Sequence, residues 1–151
     1  MVTREEATSY CNSFDDVIED YPFHDSNWAL MRHKNNKKTF ACIYEREGNV
    51  WLNVKCDVEW RDFWRATYTS VVPAYHMNKT HWNSIILNGV VPDHDIKRMI
   101  EESYELTRPK KKIQVMLYSE IINILRDIHC FYQKSIKQSY FNCQWISVLS
   151  I

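Results

Sequence analysis

The side chains best equipped for chemistry crowd into one stretch, Pro73-Ala-Tyr-His-Met-Asn-Lys-Thr-His-Trp-Asn-Ser-Ile-Ile-Leu87, which holds Tyr75, His76, Asn78, Lys79, His81, Trp82 and Asn83. Imidazoles ligate zinc, relay protons or activate a thiol, so each chemistry must be set against the spacing. His76 and His81 stand five residues apart, which puts them neither on adjacent turns of a helix nor on one face of a strand, and neither belongs to an HExxH array. A zinc site would need two further ligands from Cys56, Asp57, His33 or His94. A Cys56 and His81 pair would make a nucleophile, but no ligand spacing and no nucleophile elbow supports either arrangement. The most economical role is a polar network in which His76, Asn78, His81 and Asn83 pin an irregular connection through hydrogen bonds. No catalytic residue, metal or cofactor is assigned.

A second kind of chemistry, phosphate contact, is carried by Arg32-His-Lys-Asn-Asn-Lys-Lys38. Arg32, Lys34, Lys37 and Lys38 give four positive charges, and His33 adds one when protonated. On a hairpin these side chains reach phosphates while Asn35 and Asn36 approach base edges. A solvated turn or a lysine-guarded sheet edge presents the same residues. Arg108, Lys110, Lys111 and Lys112 form a similar cluster, either a phosphate contact or a solubilising helix exit. With 19 basic and 19 acidic residues in the whole chain, any nucleic-acid role must rest on such local charge.

The elements that position these groups follow from periodicity. Thr3-Arg-Glu-Glu6 has capping-box spacing, and Ala7, Tyr10, Cys11, Phe14, Val17 and Ile18 recur at helical intervals, so a helix runs from about residue 4 to 14 with room for a further turn before Pro22. Trp28 to Arg32, Lys38 to Glu45 and Asn49 to Cys56 read as an antiparallel meander. In the third strand Val50, Leu52, Val54 and Cys56 share the buried face, leaving Trp51, Asn53 and Lys55 opposite. Trp51 there either covers apolar surface or serves as a contact platform. Asp57 caps a helix whose Trp60, Phe63, Trp64 and Tyr68 stripe reads as core. Ser84 to Leu87 reads as a strand, and Pro92 opens a helix with Ile96, Met99, Ile100 and Tyr104 on its inner face.

The basic run then ends a domain of residues 1–108. Residues 109–112 are a linker, and 113–151 form an apolar extension with Tyr118, Ile121, Ile122, Leu125, Ile128 and Tyr132 at helical spacing. That extension would dock on the domain or pair with a protein partner or a second copy. Two glycines leave no room for a P-loop or dinucleotide fingerprint. Five cysteines without CxxC spacing, and no signal peptide ahead of them, place the chain in a reducing cytoplasm. No apolar run approaches the roughly 20 residues that cross a bilayer, so no membrane role is expected.

Taken together, Trp28 with Met31-Arg-His-Lys34, Lys38-Thr-Phe-Ala41, Leu52-Asn-Val-Lys-Cys-Asp57, Pro73 to Ser84, and Gly89-Val-Val-Pro-Asp93 with its following helix resemble the MmcQ/YjbR-like family of small, mostly bacterial proteins. The resemblance spans about residues 3 to 108. It implies an α+β domain, an antiparallel sheet packed against helices, with a double-wing arrangement that underlies the family's DNA-binding label. In that arrangement Lys34 to Lys38 and Arg46 to Asn49 would be the wings, with duplex DNA as partner. The competing role is a protein interaction module without DNA contact, and an enzyme ranks last.

Overall fold

The computed structural model describes residues 1–24, 26–109, 120–126 and 128. The chain divides into two compact units, Met1–Pro109 and Lys110–Ile151. In the second, residues 120–126 are helical. Lys110, Lys111 and Lys112, with most of the 113–151 extension, lie outside the described residues. Among the described residues no helix is long and apolar enough to cross a membrane.

Helix α1 spans Arg4–Asn12 and starts as the capping box requires, with Glu6 N–H donating to Thr3 Oγ1 at 3.2 Å and Thr3 N–H donating back to Glu6 Oε2 at 3.2 Å. It turns Ala7 and Cys11 into the core. Val17 and Ile18 do not extend it. Asp16 takes a left-handed backbone, φ 55°, which breaks the helical path, and Val17–Asp20 becomes an edge strand, β1. What decides between helix and strand there is the ladder offered by β2, Ala29–His33, which pairs Val17 with His33 and Asp20 with Leu30.

Strands β3, Thr39–Arg46, and β4, Asn49–Lys55, complete the expected meander. Their two-residue hairpin has both central residues at positive φ, Glu47 at 54° and Gly48 at 72°, the hand that matches the twist of the strands. After helix α2, Val58–Thr67, the chain adds β5, Val71–Pro73, and β6, Trp82–Ile86. The result is one antiparallel sheet of order β1-β2-β3-β4-β6-β5. Helix α3, Asp93–Thr107, buries Ile96, Met99, Ile100, Ser103, Tyr104 and Thr107.

The strand registers sort the side chains onto two faces. Met31, Ala41, Ile43, Leu52, Val54 and Ile85 share a core with Ala7, Cys11, Trp64, Met99 and Ile100, so all three helices pack on one face. Helix α2 corrects one expectation: Trp64 is buried, but Trp60 and Phe63 are 39% and 49% exposed. The helix lies over the β5–β6 margin, where the sheet underneath is too narrow to cover the whole aromatic stripe. Arg98 instead lies against Trp60, 4.8 Å from its ring centre.

Candidate functional site

The helix-free face of the sheet carries Leu30, Cys42, Tyr44, Trp51, Asn53 and Ser84. Alternation alone makes Asn53 a solvent-facing residue, yet it and Ser84 are fully buried. The chain from Pro73 to His81 folds back over them and supplies the partners a buried amide needs. Asn53 Nδ2 donates to Tyr75 O at 3.0 Å, and Asn53 Oδ1 accepts from Tyr44 Oη at 3.2 Å and from Ser84 Oγ at 2.5 Å. Tyr75 N–H donates to Ser84 Oγ at 3.1 Å, so both main-chain polar groups of Tyr75 are fixed to the sheet.

Held in this way, Tyr75 forms one wall of a groove of about 660 Å³. Leu30, Cys42 and Tyr44 line it from the sheet, Phe23 and Trp28 from the segment before β2, and His76 and Met77 from the connection. Trp28 stacks on Tyr44 with ring centres 4.0 Å apart. Its position is set by its neighbour Asn27, whose side chain mimics a strand residue: Glu45 N–H donates to Asn27 Oδ1 at 2.8 Å and Asn27 Nδ2 donates to Glu45 O at 3.0 Å. The Arg46 guanidinium lies 4.1 Å from the centre of the Tyr75 ring and 5.1 Å from that of Trp51. Its Nε and Nη2 both donate to Glu47 Oε1, at 3.0 and 2.7 Å. Trp51 is thus a buried support for Arg46, its indole donating to Arg46 O at 3.0 Å, rather than an exposed platform.

The residues singled out from the sequence divide between this site and others. Asn83 is buried and bridges α2, accepting from Arg65 Nε at 2.7 Å and donating to Arg61 O at 3.3 Å. Arg65 also donates to Lys79 O at 2.7 Å and to Trp82 O at 3.2 Å, and Arg61 to Thr80 O at 3.0 Å. Asn78 Oδ1 accepts from Thr80 N–H at 2.9 Å. The imidazoles of His76 and His81 are exposed and make no hydrogen bond among the described residues, which corrects their assignment as pins. His81 acts through its main chain, its carbonyl accepting from Cys56 N–H at 2.9 Å. His76 has φ 57°, a strained backbone that presents its ring against Tyr75, 3.9 Å between centres. Apart from the Asn78 to Thr80 bond, the connection is therefore pinned from outside itself, by Asn53, Ser84, Arg61 and Arg65.

Among the described residues the thiols, Cys11, Cys42 and Cys56, carry no nucleophile signature. Burial pushes Cys56 up to about 11 and Cys11 and Cys42 up to about 12. Among the described residues no three His, Cys, Asp or Glu side chains gather as metal ligands.

The basic segment is the β2–β3 turn, and only part of it is open. Arg32 pairs with Asp20, Nε to carboxylate 3.1 Å. His33 is buried, its Nε2 lying 3.1 Å from Tyr104 O and 2.9 Å from Thr107 Oγ1, and burial holds its pKa below the ordinary range. Asn35 Nδ2 approaches Asp16 Oδ2 at 3.5 Å. Asn36 closes the turn, accepting from Lys38 N–H at 2.9 Å and donating to Thr107 O at 2.9 Å. Asn36 is thus spent on closing the turn and tying it to α3, and Asn35 reaches back to Asp16. Lys34, Lys37 and Lys38 are exposed, and Asn36 brings them to the end of α3 where Arg108 stands. Arg108 pairs with Glu105 at 2.9 Å.

An antiparallel sheet with three helices on one face and a connection folded over the other defines a small α+β domain. The YjbR family model matches residues 12–106, and the chain belongs to that family. YyaQ of Bacillus subtilis (strain 168) is 34% identical over an alignment of 119 residues, covering 72% of this chain and 100% of YyaQ. YjbR of Escherichia coli (strain K12) is 29% identical over 97 residues, covering 61% of this chain and 82% of that protein. Among solved structures, Deinococcus radiodurans protein DR2400 aligns with a TM-score of 0.67 at 26% identity, covering 73% of this chain and 81% of that one. A Pseudomonas syringae protein aligns with a TM-score of 0.63 at 29% identity, covering 70% and 99%.

Proposed function

We propose that this YjbR-family domain binds duplex nucleic acid through its phosphates, with Lys34, Lys37 and Lys38 as the contacting groups. The reading is supported above all by the exposure of these three lysines on one turn, which the Asn36 to Thr107 bond anchors to the end of α3. Among the described residues the three lysines have no carboxylate partner, so their charge is available. In a double-wing arrangement the β2–β3 turn would carry the binding. The β3–β4 hairpin would add little, because Glu47 already neutralises Arg46. Affinity comes from charge and not base readout, since Asn36 is engaged in the turn and Asn35 reaches back to Asp16.

Fluorescence anisotropy on a random duplex, titrated with salt, tests the reading. If all three lysines contact phosphates, replacing them together with alanine weakens binding and makes the log–log salt slope shallower by about 2.7, taking about 0.9 per phosphate contact. Absence of binding at about 50 mM salt overturns the proposal. That result would favour a protein interaction module, for which the exposed Trp60 and Phe63 on α2 are the specific observation.

A further inference from the structure

The basic turn leaves the most elaborately built feature of the domain unexplained. Three buried groups, Tyr44 Oη, Asn53 and Ser84 Oγ, form a closed polar network whose output is the position of one main-chain unit, that of Tyr75. A polar network in a sheet costs desolvation, and a plain apolar face would pack as well without it. Its effect is to hold the Tyr75 ring beside Trp28, 6.5 Å between centres and within 18° of parallel, with Tyr44 beneath.

The groove so formed has the volume of a small-molecule site and a mixed lining, aromatic and apolar for the larger part, with polar groups from Asn27, Thr39, Glu45, Arg46 and His76. We propose that it binds a neutral planar heteroaromatic ring of nucleobase or nucleoside size, lying against Trp28 and Tyr75 and accepting a hydrogen bond from Arg46. The aromatic walls favour a flat ring over an aliphatic chain, because ring faces gain stacking beyond their buried area. Arg46 supplies the polar end. Its Nε and Nη2 are committed to Glu47, its Cζ lies 4.1 Å from the centre of the Tyr75 ring, and Nη1 makes no hydrogen bond among the described residues. The local charge argues for a neutral ligand. Glu47 cancels Arg46 and Glu45 also lines the groove, so a phosphate would gain no net attraction.

The proposal does not rest on the reading of the basic turn, and its test uses no polynucleotide. Isothermal titration of the full chain with adenosine, guanosine, cytidine and uridine should give saturable binding of at least one of them below about 1 mM, a modest affinity for a site of this size. The corresponding 5′-monophosphate should bind no tighter. Tyr75 is exposed enough to be replaced without unfolding, and Tyr75→Ala should weaken binding about tenfold while Tyr75→Phe keeps it, the scale expected for one lost stacking contact. Arg46→Gln should weaken it less. No heat with any nucleoside to about 5 mM, beyond the range in which a pocket of this kind is useful, would overturn the proposal. So would competition by octanoate at equal strength, which would make the groove a generic apolar site. A monophosphate binding ten times tighter than its nucleoside would overturn the charge argument and the proposal with it.

Discussion

Replacing Asn53 with alanine is the sharpest test of how this domain holds its second face. The side chain is fully buried and makes three hydrogen bonds, one donated to Tyr75 O and two accepted from the hydroxyls of Tyr44 and Ser84. Alanine leaves the Tyr44 and Ser84 hydroxyls, both buried, without their acceptor, while Tyr75 O lies near enough to the surface to find water. Two orphaned buried donors cost about 1 to 3 kcal/mol each, so the loss is roughly 2 to 6 kcal/mol. For a domain of this size each kcal/mol shifts the melting temperature by about 4 to 8 °C, and a fall of at least about 8 °C follows. His81→Ala is the control. Its imidazole is exposed and unbonded, so stability should stay within about 0.5 kcal/mol of wild type. Thermal unfolding followed by circular dichroism measures both. An Asn53→Ala melt within about 2 °C of wild type would refute the network, as would a His81→Ala loss of the same size.

Two further outcomes follow from burial. Cys11, Cys42 and Cys56 should resist iodoacetamide at pH 8 in native protein and react within minutes in urea, read peptide by peptide in a mass spectrometer; fast native labelling of Cys56 would restore it as a nucleophile candidate. His33 has a folded pKa held below its unfolded value of about 6.5, chiefly by burial and further by Arg108, against the raising effects of the Tyr104 carbonyl, Glu105 and Asp16. At pH above 6.5 both states are neutral and the group contributes no pH dependence. As pH falls through about 6.5 toward the folded pKa, the unfolded state takes up the proton first and stability declines. Urea melts at pH 7.5 and 5.5 should show that decline in wild type and a smaller one in His33→Gln, with equal declines counting against the assignment.

Much of the fold was written in patterns long enough to be read. The seven residues of β4 alternate clearly, and the inner face of α3 repeats Ile96, Met99, Ile100 and Tyr104 at helical spacing. The elements that escaped are short and at edges. β1 has four residues and β5 three, and both exist because a neighbour offers unpaired main-chain groups, something absent from their own residues. The stripe on α2 failed for the opposite reason. Periodicity shows that Trp60, Phe63 and Trp64 lie close together on the helix but not how wide the surface beneath them is.

The candidate site was legible as a place and not as a mechanism. Pro73 to Ser84 stands out by composition, and attention falls on its histidines because their side chains can do most. In the structure the segment matters through its main chain. Tyr75, Lys79, Thr80 and His81 are held by carbonyl and amide groups that every residue possesses, and the side chains that hold the first three, Asn53 and the two arginines of α2, lie about fourteen to twenty-two residues away in sequence. One sequence signal did point there. Asn53 shares a strand face with Trp51, which stands opposite Tyr44, and a supposedly solvated face that carries large aromatics is a face that something must cover. Aromatic density on the polar side of a strand therefore marks a second packing layer. In this domain that layer is a single connection, thin enough to leave a groove where it ends.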